Sequence, residues 1–302
     1  MDANIWFFGT GQFAARCLGN IAGKVRLSLV VTQPPARGGR GLKLHTSPVE
    51  DAALSLGLEL VHSEAVNKDA ALLERLGAEK PDLIFVIDFG QWIGEPWLSA
   101  PRLGCMNIHP SLLPQYRGAA PVQRALIDGC ARTGVTAFRL VRAMDAGAVW
   151  LSEETEILPD EDFPRLRDRL SDIGCAMVCE HIGELLGGDA VFTEQDESGV
   201  SYAQKIDKSE SALDAEKDAR ALHNLVRGLY PSPAAYAVHN GKRLKVLKSA
   251  VSDVKGTKGD IFAKDGRVYL GTADGSLELL TVQPEGKKAM DARDWARGAI
   301  RK

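Results

Sequence analysis

The chain has 302 residues, is 45% hydrophobic and carries a formal net charge of −3. That length allows two domains, or one large one, with a full core; with no apolar leader and no run of about 18 apolar residues, no membrane-spanning helix is indicated and a cytoplasmic protein is expected. From Gln204 to Lys302 there are 19 Lys/Arg against 13 Asp/Glu, a balance of +6, while Met1 to Ala203 stands at −9; this is either a surface for a polyanion or ordinary charge scatter.

Ile5 to Phe8 form a buried-strand run, followed by Gly9-Thr10-Gly11, a helical stretch from Gln12 to Ile21 and a second apolar strand from Val25 to Thr32. This βαβ opening fits the loose dinucleotide fingerprint, but no acid ends the second strand, where Thr32 and Gln33 stand. Tight turns packing a helix on a sheet are the better reading. Pro34 to Ser47 is a polar loop, expected to be mobile through Gly38, Gly39 and Gly41 and basic through Arg37, Arg40 and Lys43. It is either a solvated connection or a clamp for something anionic. Ser47-Pro48 starts a short helix. Leu58 to Val61 reads as a weak strand, Asp69 to Leu76 as helix, and Asp82 to Ile87 and Leu103 to Ile108 as buried strands. Pro121 to Ile127 reads as helix, and Gly134 to Arg142 and Ala148 to Ile157 as strands. A long helix follows from about Glu161 to Leu186, with Phe163, Leu166, Leu170, Ile173, Met177, Ile182 and Leu185 on its apolar stripe. These elements predict a mostly parallel, doubly wound sheet with helices on both faces.

Phe192 to Ser209 reads as a linker and crossing segment, and Asp214 to Leu229 as an amphipathic helix. Beyond Pro233 come five short strands punctuated by Asn240-Gly241, Asp265-Gly266 and Asp274-Gly275, which are hairpin signals. They suggest a small β-barrel of oligonucleotide-binding type. The expected division is 1–188, a linker at 189–207, and 208–302. Cys17, Cys105, Cys130, Cys175 and Cys179 show no CxxC spacing, and the six His form no HxH or HExxH cluster; a zinc site is not indicated.

The chemistry concentrates between Leu103 and Gly147. Asn107 and His109 stand two apart on a strand, so they face one side, at the carboxyl end where open α/β sheets place ligands. Asp145 follows before an Ala146-Gly147 turn. No Ser or Cys elbow offers a covalent nucleophile. An Asn amide can donate to a developing oxyanion, a His can donate beside it or carry a proton, and an Asp can orient the His and help take a proton from an amine. Together they suit direct acyl transfer between two substrates. Should Asp145 return toward His109, its charge would favour the imidazolium. The alternative is structural: Asn107 closes the strand end, His109 is a satisfied core histidine and Asp145 holds the turn.

Asn107-Ile108-His109-Pro110-Ser111-Leu112-Leu113-Pro114, Arg117-Gly118-Ala119-Ala120-Pro121, Thr133-Gly134-Val135-Thr136 and Met144-Asp145-Ala146-Gly147 resemble the methionyl-tRNA formyltransferase family, within the formyltransferases that use 10-formyltetrahydrofolate. Phe8-Gly9-Thr10, Gln33-Pro34, Arg40-Gly41, Ser47-Pro48-Val49, Tyr202-Ala203 and Gly286-Lys287 extend the likeness over nearly the whole chain. It implies a Rossmann-like formyltransferase domain followed by a tRNA-binding barrel. It also implies formyl transfer from 10-formyltetrahydrofolate to the α-amine of methionyl-initiator tRNA, with no metal. Asn107, His109 and Asp145 are then the catalytic set. Phe89, Gly90, Ser111, Leu112, Leu113, Pro114, Arg117 and Gly118 lie by the folate, and Arg37, Arg40, Lys43, Lys245 and Lys248 by the tRNA. The expected partners are charged initiator tRNA and the folate, with the chain a monomer away from membranes. Asp88-Phe89-Gly90 stands where the family more often has Ala-Tyr-Gly. Two other readings share the residues: a formyltransferase acting on a nucleotide-linked amino sugar, and an inactive RNA-binding homologue.

Overall fold

The computed structural model describes residues 3–38 and 43–300. In chain order its first elements are β1 (Ile5–Gly9), α1 (Gln12–Ala22), β2 (Leu27–Thr32), β3 (Ala36–Gly38), β4 (Lys43–His45), α2 (Pro48–Ser55), β5 (Leu60–His62), α3 (Ala70–Glu79), β6 (Leu83–Ile87) and β7 (Cys105–His109). Next come β8 (Arg117–Gly118), α4 (Pro121–Ile127), β9 (Arg132–Arg139), β10 (Val149–Glu156), α5 (Phe163–Gly187) and β11 (Tyr202–Ala203). The last are α6 (Ala219–Leu229), β12 (Ala235–His239), β13 (Lys242–Ser252), β14 (Ile261–Lys264), β15 (Arg267–Gly271), β16 (Ser276–Pro284), β17 (Met290–Asp291) and α7 (Ala292–Ala299). The chain forms two compact units: residues 1–118, 133–155 and 167–202, and residues 119–132, 156–166 and 203–302.

The first unit holds a seven-stranded sheet in the order β10-β9-β7-β6-β1-β2-β5. β1 runs parallel to β2 and β6, β2 to β5 and β6 to β7, while β7 and β9 are antiparallel. The continuous apolar runs of β1 and β6 are buried along their full length, as a strand covered on both faces must be. Trp6, Phe8, Ile84, Phe89 and Trp97 form the core on one face. On α5, Gly174 allows close approach to β7 and β9, since a Cβ there would lie 2.6 Å from Ile108 and 3.4 Å from Val135. The Pro34 to Ser47 stretch, expected to be a mobile polar loop, contains an antiparallel β3–β4 pair with Ala36 opposite His45.

The second unit holds a curled antiparallel sheet in the order β12-β13-β16-β15-β14, with β17 on β16. Its core joins Leu222, Val226 and Leu229 of α6 to Val246, Leu270, Leu277 and Val282. The Asn240-Gly241 and Asp265-Gly266 turns have positive φ at both residues, as tight hairpins with a right-handed strand twist require. α6 begins later than its periodicity suggests, because the Asp218 side chain accepts from Ala221 N at 2.6 Å and caps it there. The C-terminal helix α7, capped by Asp291, was not legible as a helix. Among the described residues no helix is long and apolar enough to cross a membrane.

Candidate active site

β7 is an inner strand, flanked by β6 and β9, and its last turnward residues carry the polar pair. Asn107 lies opposite Phe138 and His109 opposite Thr136 on β9. His109 is only 4% exposed, with the edge of the Phe138 ring system at 6.4 Å and 89°. Its Nε2 is 2.9 Å from the Tyr116 carbonyl. A carbonyl can only accept, so Nε2 carries a hydrogen and Nδ1 is the nitrogen left for chemistry. Asp145 Oδ2 lies 3.8 Å from that Nδ1. This is ion-pair distance for a protonated imidazole and too long for a hydrogen bond, which ends near about 3.5 Å. The Tyr116 carbonyl, not Asp145, therefore fixes the ring. The Asp145 carboxylate instead accepts from Gly118 N at 2.8 Å, on a residue held at φ +50°. The buried Asn107 Oδ1 has no hydrogen-bond partner among the described residues. The open buried atom is an acceptor; the amide's NH2 end, which makes no hydrogen bond among the described residues, is the donor a ligand oxygen could use.

Residues 3–182 match the family described as formyl transferase, and residues 205–299 match its C-terminal domain. A methionyl-tRNA formyltransferase of Rhizobium etli is 40% identical over 99% of this chain and 97% of its own length. Another, from Thermus thermophilus, is 40% identical over 97% of this chain and 95% of its own. The chain belongs to the methionyl-tRNA formyltransferase family.

Solved structures share the fold of this methionyl-tRNA formyltransferase family member. HypX of Aquifex aeolicus, solved with tetrahydrofolic acid, gives a TM-score of 0.70 at 19% identity, covering 100% of this chain and 48% of HypX. An N-formyltransferase of Helicobacter canadensis, solved with folinic acid and dTDP-3-aminofucose, gives 0.70 at 15% identity, covering 93% of this chain and 99% of that one. A Rossmann-like formyltransferase domain followed by a small barrel-like domain is thus the family architecture of this chain.

The loop after β6 is tied to the turn after β1, its parallel neighbour. Thr10 and Gly11 N–H groups both donate to the Asp88 carbonyl at 3.1 Å. The Asp88 carboxylate accepts from the backbone of Phe13 and Ala14, at the start of α1. A side chain of the protein itself sits where a dinucleotide fingerprint would hold phosphate, which agrees with rejecting nicotinamide binding. Asp88 as a residue is exposed, but its carboxyl lies against Gly11, where an added Cβ would collide with it. That enclosure pushes the carboxyl up to about 6, against the lowering pull of the two N–H groups and Arg167. Phe89 turns its ring into the core beside Phe8, at 5.4 Å, and its carbonyl accepts from Thr10 and Gln33. Gly90 sits at φ +76°. Ser111 is buried, with its hydroxyl donating to Gln115 O at 2.6 Å and its carbonyl accepting from Thr136 Oγ1 at 2.7 Å. Leu113 N donates to that same Thr136 oxygen, so the Ser111–Pro114 loop is pinned to β9. Leu112 and Pro114 are partly exposed. Arg117 is 3% exposed and spends its guanidinium on Gln195 and Glu197.

Of the basic residues, Arg37, Lys245 and Lys248 are exposed; Arg40 and the Lys43 side chain lie outside the described residues. Lys245 donates to the Pro233 carbonyl at 3.1 Å. Three positions apart on a regular strand, Lys245 and Lys248 would take opposite faces. A break in register between Val246 and Ser249 lets both reach solvent while Leu244, Val246 and Ser249 stay buried.

The residues with no sequence signal are Gln195 and Glu197. Thr193 forms a two-bond bridge with Val149, and the Arg139 guanidinium lies 4.1 Å over Phe192. This brings Gln195 to the Asp145–Gly147 turn, where its Nε2 donates to both carbonyls at 2.8 Å.

Proposed function

We propose that this chain transfers the formyl group of 10-formyltetrahydrofolate to the α-amine of methionyl-initiator tRNA. The observation that carries the reading is the Asn107 amide, without a hydrogen bond among the described residues, on the strand face it shares with His109, whose Nδ1 lies 3.8 Å from the Asp145 carboxylate. When bound, the folate supplies an activated formyl carbon. The neutral amine attacks that carbon, and the new C–N bond forms as the carbonyl oxygen takes up negative charge. The Asn107 amide donates to that oxygen, and His109, whose Nε2–H is given to the Tyr116 carbonyl, donates beside it from Nδ1 as the imidazolium. Asp145 then draws the amine proton, directly or through water; the oxyanion re-forms the carbonyl as the bond to the folate nitrogen breaks, and that nitrogen takes up the proton Asp145 received.

The Ser111–Gly118 loop and the Phe89-Gly90 turn are the proposed walls of the folate site. From Phe89 the contact would be backbone, because its ring is in the core. We assign residues 1–188 to catalysis, 189–207 to the connection and 208–302 to tRNA, with Arg37, Arg40, Lys43, Lys245 and Lys248 facing phosphates. The chain is read as a cytoplasmic monomer. Turnover on charged initiator tRNA and on a nucleotide-linked amino sugar, measured side by side, tests the assignment. Turnover on the sugar alone would overturn it.

A further inference from the structure

The Asp145 turn is held from two sides. Asp145 is in the left-handed region, which Asp tolerates better than most residues but which still costs of the order of 1 kcal/mol. The neighbouring Gly147 has no room for a Cβ, which would collide with the Arg139 carbonyl. On one side Gly118 N holds the carboxylate. On the other, Gln195 Nε2 holds the carbonyls of Asp145 and Gly147. The Gln195 oxygen accepts from Arg117 Nε at 3.1 Å and Nη2 at 2.7 Å. Arg117 has donors only, and the two carbonyls are acceptors only, so the amide can point just one way. Glu197 holds the other edge of the Arg117 guanidinium, accepting from Nη2 at 2.7 Å. Arg117 is bonded through the chain to Gly118, so the circuit closes: Gly118, the Asp145 carboxylate, the Asp145 carbonyl, Gln195, Arg117 and back.

We propose that Gln195 is a positioning residue for the transfer reaction: clamped by Arg117, it sets the Asp145 turn so that the carboxylate stands at charge-contact distance from His109. This rests on the formyl-transfer reading of Asp145. The circuit fixes where the carboxylate lies along the His109 Nδ1 direction, and a misplacement of about 1 Å at a reacting group can cost about 10²-fold.

Gln195→Glu separates the two halves of the amide. It keeps an oxygen for Arg117 and removes the N–H groups that hold the turn. Gln195→Met, of similar length and with neither half, is the second variant should the first fail to fold. The expected result is a kcat on charged tRNA lowered about 10- to 100-fold, with KM for the folate changed less than about threefold and the melting temperature close to wild type. The deciding measurement is the double variant with Asp145→Asn. If Gln195 acts through Asp145, its replacement costs nothing further in that background, a non-additivity of the full single-variant effect. An equal loss in both backgrounds would make Gln195 a merely structural staple, and full activity of Gln195→Glu and Gln195→Met would refute the proposal outright. A full-rate Asp145→Asn would instead sink the catalytic reading of Asp145 itself, and the positioning role with it.

Discussion

Replacing Asp145 by Asn removes one charge and little else. Asn tolerates the left-handed backbone at φ +50°, and its amide oxygen can still accept from Gly118 N, 2.8 Å away in the wild type. What disappears is a negative charge 3.8 Å from His109 Nδ1. At that separation two unit charges interact by about 4 kcal/mol at an effective dielectric of about 20. His109 can donate from Nδ1 only as the imidazolium, and that figure is an upper bound on what the Asp145 charge contributes to holding that form. Loss of the proton acceptor for the amine adds a general-base contribution of about 10²-fold or more. The expected fall in kcat is therefore about 10²- to 10³-fold, maintained from pH 6 to 9. Single-turnover formyl transfer to charged tRNA, followed across that range, reads the loss. Folate binding and thermal unfolding should stay near wild type. An Asn variant of full activity with an unchanged pH profile would leave Asp145 a turn residue and reduce the catalytic set to Asn107 and His109.

Asn107→Ala and His109→Ala should each lower kcat about 10²- to 10³-fold, the usual cost of an oxyanion donor, with folate affinity little changed; two near-normal variants would place the site elsewhere. Charge reversal at Arg40, Lys43, Lys245 and Lys248 should raise KM for charged tRNA and leave folate binding alone. The wild-type KM for tRNA should climb with salt as phosphate contacts release counterions; a salt-independent KM would favour the amino-sugar substrate. Asp88 supplies a pH test of stability. Its carboxyl is raised to about 6 when folded, so wild-type stability declines as pH rises from the ordinary carboxylate range through 6. Asp88→Asn should therefore melt higher than wild type above pH 6 and match it near pH 4; a gain of equal size at both pH values would contradict the sign.

What could be read from the sequence is what depends on periodicity and short-range chemistry. The buried strands β1 and β6 announce themselves as unbroken apolar runs, and the Asn240-Gly241 and Asp265-Gly266 hairpins through residues that accept positive φ. Asn107 and His109 share a strand face by parity alone. The β3–β4 pair was hidden because Leu44, its one large apolar residue, is 67% exposed, so no buried face imposes an alternation. The ring orientation of His109 depends on a carbonyl seven residues on, which no side-chain pattern encodes. Gln195 reaches across 48 and 50 residues to two backbone carbonyls. Contacts from a side chain to distant backbone leave no trace in composition or spacing, and the Val149–Thr193 bridge that delivers it is a single isolated pair.

The most direct test follows a labelled formyl group from 10-formyltetrahydrofolate in the presence of methionyl-initiator tRNA. After hydrolysis of the ester, the account predicts label in N-formylmethionine with wild-type protein, and a rate lower by at least about 10²-fold when Asn107 is Ala. Absence of labelled N-formylmethionine with folded wild-type protein, or an unimpaired Asn107→Ala variant, would contradict it.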